Sequence, residues 1–416
     1  MGPLIVQKFG GTSLSTPEKI EKSAQIIQRE ISEDKKVIVV VSAMGSHTDE
    51  LLNLAKKVHS TPPKRELDML LSSGERVSMA LLSMALKKIH VRAISLTGSQ
   101  SGILTDHIHG NARILRLQTQ RIKETLKTYD VIIIAGFQGV NPETKEITTL
   151  GRGGSDLSAV AIAATLKPLR CQIFTDVPGV LTAHPKIVSH PRRIPRLSWL
   201  HMQELAWSGA ELLHHRSVFV AKKFGIPLEI RHYLAPHKIG TLICGETMLS
   251  PSQLEQSHVV AISHKADQTR LTLSWALPQE NFEGHKILGN LLRWLWEREE
   301  SPNPCYQICD SREDKGFRIE LLLASSHVSS FINYLEDGSC AIPKPSQVTH
   351  SSSLTLITVI GQGFRQNPEL ISKMASLCPK TPVFLQVCDS TVALALPEEL
   401  GSTTVRILHE AFFEAS

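Results

Sequence analysis

The chain has 416 residues, too many for one ordinary core, so two or three domains are expected. Hydrophobic residues make up 42% and charged residues 20%, which excludes a disordered chain. The net charge of +5 is small, and its basic pairs (Lys35-Lys36, Lys56-Lys57, Lys87-Lys88, Arg192-Arg193) alternate with acids, so they read as solvated surface with no nucleic acid among the partners.

From residue 4 to about 244, strand and helix signals alternate. Leu4–Val6 is a short apolar strand, and Pro17–Glu30 has helical spacing at Ile20, Ala24 and Ile27 with Thr16 placed as N-cap. Val37–Val41 is a β-branched run of the kind buried on both faces of a sheet. Helices are expected at about 48–59 and 75–89, a strand at Ala93–Leu96, a helix over Asn111–Thr128 and a buried strand at Val131–Ala135. A small-residue helix (Ser155–Ala164), a strand (Cys171–Thr175), a helix (Arg216–Phe224) and a strand (Leu228–Arg231) complete the series. This order predicts an α/β fold: an open, mostly parallel sheet with helices on both faces and its site outside the carboxyl ends of the strands.

A polar linker covers about 245–257. Beyond it, strands are expected at Arg270–Trp275, Tyr306–Asp310 and Phe317–Leu323, with helices at about 284–299 and 326–335. After a polar stretch, Ser339–Ser353, come strand Leu354–Ile360, helix 367–378, strands Val383–Cys388 and Thr391–Leu396, and a helix after Pro397. Both halves share a β-α-β-β-α order, the split β-α-β layout of ferredoxin-like folds. The domains are therefore read as 1–245, 258–337 and 353–416.

The apolar runs are far too short to span a membrane. Seven cysteines without a C-x-x-C pair suit free thiols in a reducing cytoplasm, and no signal peptide or metal-ligand set is evident.

Two glycine-rich turns carry the chemistry. In Lys8-Phe9-Gly10-Gly11-Thr12-Ser13, the glycines let backbone N–H groups approach phosphate oxygens and Lys8 supplies a point charge. In Gly151-Arg152-Gly153-Gly154-Ser155-Asp156, Arg152 has planar donors for a carboxylate or phosphate, and Ser155-Asp156 opens a helix whose N-terminal dipole favours anions. Neither is a Walker A loop, and together they outline a nucleotide-dependent phosphotransferase. Three further turns, Ser42-Ala43-Met44-Gly45, Ser72-Ser73-Gly74-Glu75 and Thr175-Asp176-Val177-Pro178-Gly179-Val180, are by themselves ordinary strand ends and helix caps. His214-His215 reads as a packed or solvated pair.

Taken in order, KFGGTS, the Val40–Thr48 segment, SSGE, AGFQG (Ala135–Gly139), GRGGSD, TDVPGV and the GAELLHHRS–IPLEIR stretch resemble aspartate kinase, of the amino-acid kinase superfamily, over about residues 4–245. The tandem C-terminal units resemble the paired ACT domains of such enzymes. The resemblance implies that Lys8 contacts the transferring phosphoryl group and that Phe9, Gly10 and Gly11 lie against the phosphates of ATP carried with Mg²⁺. It implies that Thr48, Glu75, Arg152 and Ser155 hold L-aspartate, Glu75 through the ammonium and Arg152 through a carboxylate, while Asp156 supports catalysis with Lys8. Thr175, Asp176, Leu181, Lys186, Glu211 and Leu212 would line the nucleotide. It further implies feedback by an amino acid, with lysine favoured, and a homodimer or larger assembly through the ACT units. The family usually has Tyr, Asp and Arg where this chain has Leu181, His184 and Lys186, and a Lys where it has Glu211; His215 replaces a Pro. Those departures leave a second reading open, a catalytically weak amino-acid sensor that keeps the kinase fold.

Overall fold

The computed structural model describes residues 3–31, 35–210, 212–245, 258–276, 284–297, 306–311, 316–336 and 342–414. The described residues form two compact units, one within 1–180, 193–203 and 211–251, the other within 181–192, 204–210 and from 252 onward.

Up to residue 245 the elements run β1 (Leu4–Phe9), α1 (Pro17–Ile31), β2 (Lys36–Val41), α2 (His47–Val58), α3 (Lys64–Leu71), α4 (Ser73–Lys88) and β3 (Ala93–Leu96). Then follow β4 (Ile103–Thr105), β5 (Ile114–Leu117), α5 (Gln120–Thr128), β6 (Val131–Ala135), β7 (Gln138–Val140), β8 (Ile147–Thr149), α6 (Gly154–Leu166) and β9 (Arg170–Thr175). The last are β10 (Arg196–Ser198), α7 (Trp199–Trp207), α8 (His215–Phe224), β11 (Leu228–His232) and β12 (Thr241–Cys244).

Eight strands form one sheet in the order β10-β12-β11-β9-β1-β2-β6-β3, parallel throughout except for the β11–β12 pair. Side-chain alternation along the central strands sets what lies on each face. Phe9, Val37, Val39, Val41 and Ile133 bury against Ile20, Ala24 and Ile27 of α1 and Leu82 and Leu86 of α4. The neighbouring residues of the same strands face the other way, where α6 packs on β1 and β2. Because Ala159, Val160, Ile162 and Ala163 are small or apolar, α6 can be buried on nearly every side.

A second sheet, β5-β4-β7-β8, stands apart from the first. It corrects the expected helix over Asn111–Thr128: residues 114–117 are an edge strand paired only with β4, and the helix begins at Gln120 after Thr119. Arg116 and Leu115 face solvent on that edge, so the stretch carries no period-two apolar face. The short strands of this sheet, α3, α7 and β10 give little sequence signal.

The second unit contains β13 (His258–Ala276), α9 (Gly284–Glu297), β14 (Tyr306–Ser311), β15 (Gly316–Ala324), α10 (Ser325–Glu336), β16 (Gln347–Gln362), α11 (Pro368–Leu377), β17 (Phe384–Val387), β18 (Thr391–Pro397) and α12 (Glu398–His409). The two β-α-β-β-α runs are present, but their strands interleave in one antiparallel sheet, β14-β15-β13-β16-β18-β17. Residues 268–276 of β13 pair with β15, whereas the stretch from His258 to Lys265 pairs with the part of β16 that also pairs with β18. The hand-over falls at register shifts around Lys265 and Gln268, beside Asp267 at φ +54° and opposite Ser353 at φ +61°. Each four-stranded half therefore takes one strand from a segment outside its own consecutive run. This also corrects the polar stretch Ser339–Ser353, which becomes strand from Gln347.

The core of the first half centres on Phe331, fully buried with Trp294 edge-on at 4.8 Å between ring centroids. Phe331→Ala is expected to destabilise this unit by about 3–5 kcal/mol, read as a shift of its urea midpoint.

Candidate active site

β1 ends with Lys8 and Phe9 on opposite sheet faces. Phe9 stacks on Phe174 of the adjacent β9, centroids 4.6 Å apart and planes 7° from parallel, inside the core. Lys8 consequently emerges on the α6 face, where its Nζ lies 2.7 Å from Asp156 Oδ1 in the first turn of α6. Both side chains are largely buried. The contact is an ion pair whose angles miss those of a hydrogen bond, and Asp156 Oδ1 is otherwise without a hydrogen-bond partner. After Phe9 the chain turns at once into a short 3-10 segment, Gly11–Leu14. A Cβ on Gly11 would sit 2.8 Å from the Ala43 carbonyl oxygen, so this turn and the one after β2 approach each other backbone to backbone. Gly45 N–H donates to Gly11 O at 3.0 Å and ties the two turns together.

Glu75, in the first turn of α4, is 3% exposed. Its Oε1 accepts the Ala43 N–H at 3.0 Å, whereas Oε2 has no partner. Burial pushes its carboxyl up to about 7, opposed by the N–H groups of Glu75 and Ala43. A buried carboxylate oxygen without a donor is a receptor for a cation.

The turn between β8 and α6 brings Arg152 to the same place. Gly153 caps α6 at φ +68°, and a Cβ there would fall 2.2 Å from the Cβ of His214, so glycine is required on both counts. His214 accepts the Arg216 N–H at 3.4 Å as N-cap of α8. Burial lowers His214 to about 4 and His215 to about 3, so both rings are neutral near pH 7. They are a packed pair, centroids 4.0 Å apart.

One pocket of about 240 Å³ gathers Lys8, Gly11, Thr48, Glu75, Arg152, Ser155 and Asp156. Ser42, Ala43, Gly45, Phe137, Gly151, Gly153 and Gly154 complete its lining. Of the expected residues, Gly10 adjoins it, and Phe9 can offer only backbone because its ring is in the core. Thr175 and Asp176 lie at the carboxyl end of β9, where Thr175 Oγ1 donates to Asp176 Oδ1 at 3.2 Å. Leu212 is half-buried just before α8, and Glu211 lies outside the described residues. Leu181 and Lys186 belong to the second unit, whose core takes in Ala183, Ile187 and Val188. Phe137 carried no functional signal of its own; its φ of +66°, unusual for an aromatic residue, follows from the tight passage between β6 and β7.

Glu75 also makes stability depend on pH. Its folded value lies above the ordinary one, so its contribution is full below about pH 4 and is lost as pH rises through 7. Glu75→Gln, which keeps the oxygen that accepts the Ala43 N–H, should stabilise the ligand-free protein by on the order of 3 kcal/mol at pH 8 and by little at pH 4. Urea unfolding at the two pH values checks both the size and the sign.

Residues 3–232 match the amino acid kinase family. Aspartokinase 2 of Bacillus subtilis is 38% identical over 413 residues, covering 98% of this chain and 97% of that protein. The aspartokinase of Geobacillus stearothermophilus is 37% identical over 427 residues, again covering 98% and 97%. Among solved structures, E. coli aspartokinase III in complex with aspartate and ADP has the same fold, with TM-score 0.80 and 22% identity over 99% of this chain and 100% of that one. With near-complete coverage at this identity and both glycine-rich turns in one pocket, the chain belongs to the aspartokinases within the amino acid kinase family and is an aspartate kinase.

Proposed function

We propose that the protein transfers the γ-phosphoryl group of ATP to the side-chain carboxylate of L-aspartate, giving 4-phospho-L-aspartate and ADP. The observation that carries this reading is the unpartnered Glu75 oxygen in one pocket with Arg152 and the Lys8–Asp156 pair. Aspartate presents one ammonium and two carboxylates. Glu75 takes the ammonium, Arg152 takes the α-carboxylate, and Thr48 and Ser155 add hydroxyls, leaving the side-chain carboxylate for Lys8. Binding by opposite charges at both ends of a short ligand fixes its direction as well as its place.

A side-chain carboxylate is already ionised at neutral pH, so the reaction needs no general base. A carboxylate oxygen forms the bond to the γ-phosphorus while the bridging P–O bond to ADP breaks. The barrier comes from bringing two anions together, and Lys8 lowers it by placing a cation where their charge concentrates. Asp156 holds the Lys8 ammonium at that point. Backbone N–H groups of Gly10 and Gly11, and the N-terminus of α6, serve the phosphates. Thr175, Asp176 and Leu212 serve the nucleoside side.

Among the described residues no group of three or more His, Cys, Asp or Glu side chains could cage a metal. Mg²⁺ carried on the nucleotide would take phosphate and water oxygens with one or two carboxylates. Asp156, in the same pocket and paired with Lys8, would be the carboxylate nearest such an ion. When bound, Mg²⁺ spreads the negative charge of the transferring group.

The reaction is read as the first step toward lysine, threonine, methionine and diaminopimelate in the cytoplasm, under feedback control. The second unit supports control by a small zwitterion. It contains a cavity of about 190 Å³ lined by Lys265, Glu204, His327 and Gln268 over Leu322 and Leu356. Lysine is the effector favoured; E. coli aspartokinase III, similar in fold, has been solved with lysine and aspartate. The sheet ends at β14 and β17, edges that suit pairing with a second copy into a homodimer.

Purified protein given aspartate, ATP and Mg²⁺ with hydroxylamine should yield aspartyl hydroxamate, and its complete absence would contradict the proposed reaction. Lys8→Ala should lower kcat by a factor of at least about a hundred, corresponding to roughly 3 kcal/mol, in a protein that still folds although Asp156 has lost its partner. Undiminished turnover in a folded Lys8→Ala protein would show that the phosphoryl group sits elsewhere. In the same assay lysine should inhibit, and Leu356→Trp, which fills the cavity, should relieve that inhibition. Unchanged inhibition would place the effector outside the cavity.

A further inference from the structure

Arg216 sits in the first turn of α8, where a cation opposes the positive end of the helix dipole, so helix stability does not account for it. Its half-buried guanidinium is spent on three acceptors instead. Nη1 donates to Leu150 O and, at 2.8 Å, to Asn111 Oδ1, while Nη2 donates to Ala112 O at 2.7 Å. Leu150 lies two residues before Arg152, and its own N–H donates to Phe137 O at 2.8 Å. Ala112 N–H in turn donates to Thr149 O at 2.9 Å. The start of the Arg152 turn is thus held by one planar fork. The end of the turn is held by the same helix, because the His214 ring occupies the space beside Gly153.

Arg152 itself is exposed. Its direction therefore depends on the turn that carries it, and that turn is anchored by Arg216 and His214 on one side. On the other side, Thr149 Oγ1 donates to the buried Asp68 Oδ1 at 2.5 Å. Lys8 has separate support in β1, through its pairing with β2 and β9.

We propose that Arg216 is a positioning residue that sets Arg152 for the α-carboxylate of aspartate by gripping the Leu150 carbonyl, without touching either substrate. This rests on the reading of Arg152 as aspartate's carboxylate partner. Three donors in a fixed plane match three acceptors from two segments, which a lysine ammonium cannot reproduce. Lys8, Gly10 and Gly11 at the end of β1, and Thr175 and Asp176 at the end of β9, carry most of the nucleotide side and stand apart from this fork.

Steady-state kinetics of the full chain with Mg-ATP, on Arg216→Ala, Arg216→Lys and Arg152→Ala, test the proposal. Arg216→Ala should raise the KM for aspartate by roughly 10- to 100-fold, as misplacement by about 1 Å does, with the KM for ATP within about twofold of wild type. Arg216→Lys should show the same selective rise, reduced in size. Millimolar guanidinium ion should restore part of the aspartate affinity of Arg216→Ala and none of that of wild type. Equal changes in both KM values, or a fall in thermal stability with unchanged aspartate KM, would overturn the proposal. If Arg216→Ala fails to fold, the kinetics of Arg216→Lys decide by the same criterion. The Arg152→Ala variant separates the two readings. A large aspartate KM there with a normal one in both Arg216 variants removes the positioning role alone. A normal aspartate KM in Arg152→Ala removes the assignment of Arg152 and this proposal with it.

Discussion

Side-chain alternation at the end of β1 is the constraint on which the site depends. Two consecutive residues must serve opposite sheet faces, Phe9 in the α1/α4 core against Phe174 and Lys8 at the start of α6 against Asp156. A slip of one residue in β1 would send the ammonium into the hydrocarbon core and the ring toward the pocket that Lys8 and Asp156 line. The register is held by parallel pairing on both sides, Lys8 opposite Val40 of β2 and Ile173 of β9. Gln7 adds a buried hydrogen bond from Nε2 to Gln172 Oε1 at 2.8 Å. The most apolar part of the fold thus positions its most polar chemistry.

Around that pair, burial decides which groups are charged. Glu75 is held near neutrality by desolvation until a cation arrives, whereas His214 and His215 are kept neutral and act as packing and a helix cap. Arg152 stays exposed. The ligand-free pocket therefore carries one unsatisfied anionic position and one exposed cation on opposite demands. A zwitterionic dicarboxylate meets both, and a ligand lacking either charge leaves a group unpaired at a cost of a few kcal/mol.

Much of this was legible in the residues, for reasons that differ along the chain. Val37–Val41 and Val131–Ala135 announce buried parallel strands because no polar residue interrupts them. The two glycine turns are legible because the close backbone approach at Gly11 and the left-handed backbone at Gly151 and Gly153 demand glycine. Glu75 is different: by itself Ser72–Glu75 is a helix cap, and only the packing of α4 under the Ala43 turn buries the carboxylate. Residues 111–128 look like one helix because Ile122 and Leu126 carry a true helical spacing that blends into the polar edge strand before them. The interleaving of β13 and β16 leaves no local trace, since it depends on pairing across about 90 residues, as between Lys265 and Leu356. In the sequence Arg216 is only one letter of a family stretch and the start of a helix, because what it does resides in the carbonyls it meets and not in its neighbours along the chain.

The central claim is that this pocket recognises aspartate by complementary charge, with Glu75 reading the ammonium. Its most direct test compares binding of aspartate with that of succinate, which has the two carboxylates and lacks the ammonium, by calorimetry at pH 8. Wild type is expected to prefer aspartate by at least about tenfold, and Glu75→Gln to lose most of that preference while binding succinate as well as or better than wild type. An aspartate-to-succinate ratio unchanged by Glu75→Gln would contradict the account.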